Sequence, residues 1–520
     1  MQKVKNNPIP TVLVILDGFG LADKRTPGNA ITPVTAPNIF RYIKDYASST
    51  LCTSGESVGL FPGQEGNSEA GHLNIGAGRI VKQDLMIISD AIHDGTFFKN
   101  YAFKEALYHV KKYDTAVHVM CLLTGGNSAH TYPELLYAML EFFRWENHSK
   151  VFIHLFTDGR DSGPHFAPKF LHELRGHMLS KEKIATVTGR YYAMDRNKVW
   201  SRTEAFYNAM VSGVGHKAES AEDALAQAYT RNENDEHVSP TVIMEKGKSV
   251  ATMKDNDVIF FVNARSDRAR QITKAFVQRD FEKENLGSFK RKSVPKNIRF
   301  VAMTDFGPDL PGVFTAFPSP DIVNCLPKVI SDNYRQLYIS ETEKYAHVTY
   351  FINGGFADPL NGEKREVVKS AAEYSYANLP EMNSCLLTKK VVDYLNKGKY
   401  NFICVNFPNA DMVGHTGDLA ATKKAVHAVD VSVKKITDAA LKLKGQVLVI
   451  ADHGNAEVML NPELVEVMTE HTTNPVPCIW IKAGSKKIKL KNGILADVAP
   501  TLLKMMKIDQ PKEMTGKALF

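Results

Sequence analysis

TVLVILDGFG, residues 11–20, is an unbroken apolar run from Val12 to Leu16 that stops at Asp17 and a pair of glycines. A run of this length without alternation, rich in Val and Ile, reads as a strand buried on both faces. The pattern recurs. AVHVMCLLTGGNSAH leads to His130, and VFIHLFTDGRD leads to Asp158, Arg160 and Asp161. IATVTGRYYAMDR leads to Arg190 and Arg196, and VIFFVNARSDRAR leads to Asn263, Arg265 and Arg268. FICVNFPNADMVGH leads to Asp411 and His415, and VLVIADHGN leads to Asp452 and His453. Amphipathic helices separate the runs. From Leu419 to Ile436, Val426, Val429, Val433 and Ile436 recur at helical spacing. Strands alternating with helices predict an α/β fold with mainly parallel sheets. Such sheets bind ligands beyond the carboxyl ends of their strands, where all seven polar clusters fall.

The rest of the chain bounds the function. At 520 residues, two to four domains are expected at roughly 100–200 residues each. The 64 Lys+Arg against 57 Asp+Glu give a net charge of +7, spread without a long basic block. This suits a small anionic substrate and argues against nucleic acid. The six cysteines show no CxxC and no framework spacing, as in a reducing, cytoplasmic setting. The N-terminal MQKVKNNPIP is polar, and no apolar run reaches the ~20 residues of a membrane span, so no membrane association is expected. The charged stretch from Asp280 to Asn297 reads as a solvated surface.

Three constellations carry chemistry. Asp17, Asp411, His415, Asp452, His453 and His471 mix carboxylates with imidazoles, a donor set for Zn or Mn rather than for Ca or Mg. Asp411 and His415 are four apart, on one side of a helical turn. Together the six point to a two-metal centre. Ser68, in GQEGNSEAGHLNIGAGR, stands among five glycines at the start of a helix. It reads either as an N-cap or as a metal-activated nucleophile at the positive end of a helix dipole. The third set, Arg160, Arg190, Arg196, Arg265 and Arg268 with His130 and Asp161, suits a small, multiply charged anion. Asp161 is either an ion-pair partner or a general acid–base.

These segments together resemble the cofactor-independent phosphoglycerate mutases of the alkaline phosphatase superfamily. The matching stretches are LDGFG, GNSEAGHLNIGAGR, HTYPELL, TDGRD, GRYYAMDR, NARSDRARQ, SETEKYAHVTYFINGG, NADMVGHTG, ADHGNAE and EHTTNPVP, in the family's order. The resemblance implies an alkaline-phosphatase-like three-layer α/β/α domain from residues 1–81 and 316–520. An α/β phosphotransferase domain, 82–315, is inserted in it. It implies two Mn ions per chain: one on Asp17, Ser68, Asp452 and His453, the other on Asp411, His415 and His471. Zn or Co would also suit these ligands. Phosphoglycerate is expected to bind through His130, Arg160, Asp161, Arg190, Arg196, Arg265 and Arg268, with Lys344 near the phosphoryl group. Ser68 would carry the phosphoryl group between the 3- and 2-positions, with no bisphosphoglycerate, in a cleft that closes against water. A monomer is implied. A hydrolase of the same superfamily and a non-catalytic metal-binding protein are the alternatives.

Overall fold

The computed structural model describes residues 9–23, 25–126, 128–332, 334–360, 362–461 and 466–520. The first eight residues, most of the polar N-terminal stretch, lie outside the described residues. The chain divides into two compact units, residues 1–83 with 321–520, and residues 84–320. Each is a mixed α/β body built on its own sheet.

In the first unit, Thr11–Leu16 is central and fully buried, as its unbroken apolar run requires. Each such aliphatic side chain contributes about 1.5–3 kcal/mol by leaving water. Phe402–Phe407 and Gln446–Ile450 flank it in parallel. Gln336–Glu341 and then Glu363–Val368 continue the parallel order on one side. On the other, Val476–Ile481 and Ala47–Cys52 run antiparallel before the short Gly493–Ile494. Register aligns Leu16 with Phe407 and Ile15 with Ile450. The chain therefore leaves three neighbouring strands at one level, just before Asp17, Asp411 and Asp452. The helix read from Leu419 to Ile436 runs on to Lys442. Its extra residues, TDAALK, end in the good helix formers Ala439, Ala440, Leu441 and Lys442, and Lys444 in the left-handed region and Gly445 end it.

In the second unit, six parallel strands run in the order Val313–Thr315, Arg299–Ala302, Val258–Val262, Val117–Leu123, Val151–Thr157 and Glu182–Gly189. Thr241–Glu245 then pairs antiparallel with Glu182–Gly189. Leu123, Thr157 and Gly189 share one level, so Thr124, Asp158 and Arg190 emerge side by side. The Asp280–Asn297 stretch is mostly exposed, with Phe281 and Phe289 anchoring it in the core.

Candidate active site

The first unit gathers its polar strand ends around one hydroxyl. Ser68 opens the helix Ser68–Ala77, but it is not the N-cap: the Asn67 side chain accepts from Ala70 N at 2.9 Å. That leaves the Ser68 hydroxyl available. Its Oγ lies 2.7 Å from Lys344 Nζ, 2.9 Å from His453 Nε2 and 3.2 Å from Asp17 Oδ1. Lys344, from the segment after Gln336–Glu341, also meets Asp17 Oδ1 and Asp411 Oδ2 at 2.7 Å each. Two glycines permit this crowding. Gly18 has φ +73°, and a Cβ there would lie 2.7 Å from the Asp411 Cα. A Cβ at Gly66 would lie 2.1 Å from the Thr53 carbonyl oxygen.

Electrostatically the cluster lacks positive charge. Burial works to raise the Asp17 carboxyl, yet the Lys344 ammonium together with His453 and His72 holds the pKa down at about 2. Asp411 is likewise held well below the usual range, against its burial, by Lys344 and by hydrogen bonds from His415 and His471. Burial and the neighbouring carboxylates drive Asp452 the other way, well above its usual value. Burial opposes the charge on Lys344, but Asp17, Asp411 and Asp452 raise it well beyond that of a free lysine. One ammonium thus serves three carboxylates. Asp452 Oδ1 accepts from Gly18 N and His453 N, while the buried Oδ2 has no hydrogen-bond partner.

The donors fit metal ions. His415 Nδ1 donates to the Thr469 carbonyl at 2.7 Å, and His471 Nδ1 donates to the Gly66 carbonyl at 2.8 Å. These bonds fix the tautomers and leave both Nε2 atoms bare, as in metal-ligating histidines. The two Nε2 atoms lie 3.1 Å apart, each 3.2 Å from Asp411 Oδ1. Lone pairs that converge so closely need a cation between them. When protonated, His415 donates from Nε2 to Asp411, and this hydrogen bond raises its pKa. Asp17, Asp411 and His453 form a second close donor group, and Asp452 Oδ2 lies 3.5 Å from His453 Nε2. A third group includes His72. Both of its nitrogens are engaged, by the Ser68 carbonyl and by Asn406, so it is a poor ligand.

The second unit gathers its own predicted residues. Arg190 is buried, and its guanidinium pairs with Asp158 and, at 2.9 Å, with Asp161 Oδ2. Asp161 Oδ2 also accepts from Ser128 Oγ at 2.6 Å. Burial acts to raise the Asp161 pKa, but Ser128 and Arg190 bring it below the usual value, so it stands ionised. Arg196 and Arg265 flank Asp267 at 2.5 and 3.3 Å. Arg160 reaches Glu236 Oε1 at 3.3 Å from a half-exposed position. Arg268 donates to the Met194 carbonyl at 3.3 Å, and among the described residues it has no ion pair within 4 Å. Burial, then Arg190, Arg196 and Arg160, lower its pKa. This crowding of guanidinium groups favours an anion. His130 is buried, and burial followed by Arg190 pushes its pKa down to about 4. Its Nδ1 lies 3.3 Å from Asn263 Oδ1.

Sequence reasoning passed over the groups that hold these residues in place. Asn406 donates to Asp17 Oδ2 at 2.7 Å. The buried Glu457 accepts from Gly20 N, Asn455 N, Thr472 Oγ1 and Asn474 Nδ2, tying together the loops around Asp17 and His471. Ser128 and Asp267 orient the second cluster. Glu457 falls inside the quoted ADHGNAE, but nothing in its spacing set it apart from a surface acid.

Comparison with known proteins agrees with this chemistry. The Metalloenzyme superfamily model matches residues 9–510. A Clostridium acetobutylicum protein named 2,3-bisphosphoglycerate-independent phosphoglycerate mutase is 46% identical over 514 residues, covering 98% of this chain and 99% of its own. One from Methanosarcina barkeri, numbered 1 under the same name, is 47% identical over 519 residues, covering 98% of each chain. A Leishmania mexicana phosphoglycerate mutase crystallised at low cobalt concentration is similar at TM-score 0.73 and 28% identity, covering 100% of this chain and 99% of its own.

Proposed function

The chain belongs to the 2,3-bisphosphoglycerate-independent phosphoglycerate mutases, isomerases that interconvert 3- and 2-phosphoglycerate, and from that premise we propose that Ser68 carries the phosphoryl group between the two positions. The observation that carries this reading is the focus of Lys344 Nζ, His453 Nε2 and Asp17 Oδ1 on one hydroxyl at the start of a helix. Asp17, Ser68, Asp452 and His453 would hold one metal ion, and Asp411, His415 and His471 the other. Bound there, two divalent ions would lower the pKa of the serine hydroxyl and offset charge on the phosphoryl oxygens.

Ser68 Oγ attacks the phosphorus of 3-phosphoglycerate, and the bond from phosphorus to the C3 oxygen breaks. Lys344, fully charged, meets the negative charge on the transferring group. The Ser68 hydroxyl releases its proton as Oγ attacks, the C3 oxygen takes one up in exchange, and the return step reverses this balance. Glycerate, held by its carboxylate on the arginine set of residues 84–320, then turns. Its C2 hydroxyl gives up a proton and recovers the phosphoryl group from Ser68. Asp161, ionised beside Arg190, would shuttle that proton. His130, neutral and buried, hydrogen-bonds rather than charges the substrate. Manganese as the native metal, a monomer and a cytoplasmic location belong to the same reading, carried by the family resemblance.

The test is an enolase-coupled assay from 3-phosphoglycerate without bisphosphoglycerate. It is run on chelator-treated protein before and after manganese is restored, with free phosphate measured in parallel. Activity should return with manganese and release little phosphate, and Ser68→Ala should abolish it. Substantial turnover by Ser68→Ala would remove the serine from the mechanism. Phosphate release without 2-phosphoglycerate would make the protein a hydrolase.

A further inference from the structure

Two buried, neutral side chains beside Ser68 have no part in this scheme. His72 and Asn406 are both fully buried. His72 Nδ1 lies 2.9 Å from the Ser68 carbonyl oxygen. A carbonyl only accepts, so Nδ1 carries the proton and Nε2 is bare. Nε2 lies 3.0 Å from Asn406 Nδ2, which also lies 2.7 Å from Asp17 Oδ2. The amide's two hydrogens therefore serve two acceptors. The reverse amide orientation would set an oxygen against a carboxylate and a bare nitrogen, so these partners fix it. The result leaves Asn406 Oδ1 buried without a hydrogen bond. A buried oxygen left unbonded in a native site calls for a reason.

We infer that His72 and Asn406 are positioning residues that tie the nucleophile to the ligand Asp17. The link runs from the Ser68 carbonyl through His72 and Asn406 to Asp17 Oδ2. It does two things. It occupies Oδ2, so that Asp17 turns Oδ1 toward Ser68 Oγ and Lys344. It also fastens the first turn of helix Ser68–Ala77 to the strand Phe402–Phe407, where Asn406 stands opposite Ile15, two residues before Asp17. A serine on a helix and an acid on a strand end are thereby held in one register. Sites held this way lose precision when the supporting groups go. The inference rests on the reading of Ser68 as nucleophile and Asp17 as metal ligand.

Its test compares His72→Leu, His72→Gln and Asn406→Leu with the wild type by kcat, KM, thermal melting and calorimetric titration of the metal-free protein with manganese. The leucine variants should lose about ten- to a hundredfold in both kcat and manganese affinity. KM should stay within about threefold, because the arginines of residues 84–320 are untouched. His72→Gln, whose amide donates to the Ser68 carbonyl and accepts from Asn406, should stay within about threefold of wild type on every readout. If the leucine variants fail to fold, Asn406→Ser, too short to span both partners, replaces them with the same expectation. Folded variants with wild-type kcat and manganese affinity would overturn the inference, as would a His72→Gln as impaired as His72→Leu. Ser68→Ala is the control. If it turns over, or if the wild type binds no manganese, the reading of the site itself fails; if both controls hold and the variants match wild type, only the link fails.

Discussion

Arg190 was legible as an arginine past a strand end, and Asp161 as an ion-pair partner or general acid–base; that Asp158 and Asp161 both pair with this one arginine was not. The sequence suggested a guanidinium waiting for substrate. The structure shows it buried, paired with both Asp158 and Asp161, and its Nε is left without a partner. Such a residue organises the pocket as much as it binds. A buried pair broken on one side leaves an uncompensated charge, typically at about 3–5 kcal/mol. Arg190→Met should therefore destabilise the protein by about that amount in urea unfolding. Adding Asp158→Asn should restore at least about 1 kcal/mol, since it removes the stranded carboxylate. A loss below about 1 kcal/mol for the single variant would mean that solvent or other groups satisfy these acids. Arg268 makes the contrast: among the described residues no carboxylate pairs with it within 4 Å, so it is the guanidinium of the set with most to offer an incoming anion.

Helix Ser68–Ala77 shows what a sequence says about an element and what it withholds. The glycines and the serine announced a helix start, but Asn67 and Ser68 are both cap formers, and composition does not choose between them. The structure gives the cap to Asn67, so the hydroxyl is spared. Asn67→Ala should cost about 1 kcal/mol of stability, and Asn67→Asp should cost much less. Both are read from denaturant midpoints at constant slope. Equal losses in the two variants would mean that Asn67 contributes through packing and not through its accepting oxygen. The strands were the most legible elements, because burial on both faces writes an unbroken apolar run. Ala47–Cys52 carries no such run; three of the five residues in ASSTL are polar and only Ala47 and Leu51 are buried, and only pairing with Val476–Ile481 makes it a strand. The acids after the central strands were read as a ligand set, and the structure brings them close together. Asn406 and His72 were not legible, because neutral groups that work through hydrogen bonds leave no signature of residue type.

At the scale of the whole molecule the two units concentrate different charges. The first concentrates carboxylates and bare imidazoles; the second concentrates guanidinium groups around His130. Metal bound only by the folded first unit stabilises it by RT ln(1 + [M]/Kd), about 2.7 kcal/mol at a hundredfold excess over Kd. Binding requires neutral imidazoles, so proton and metal compete. His415 feels this first, since the Asp411 hydrogen bond raises its pKa above the usual 6.5. The manganese-dependent rise in melting temperature should be full near pH 8 and shrink as pH falls through and below the neutral range. His130 in the second unit works with the opposite shift. Its folded pKa is about 4 against 6.5 when unfolded, so the unfolded chain takes up the proton first. Stability from that group is complete above about pH 6.5 and is lost as pH falls toward 4, in all about 3 kcal/mol at 1.36 kcal/mol per unit. Scanning calorimetry with chelator and with manganese, at unit pH steps from 8 to 5, separates the two. The chelated protein should melt at nearly constant temperature down to about pH 6.5 and lower below it, where His130 is joined by the likewise depressed His72, His347 and His453. The increment from manganese should decline at higher pH than that. An increment unchanged from pH 8 to 5 would rule out histidine ligands, whatever the acid sensitivity of the rest.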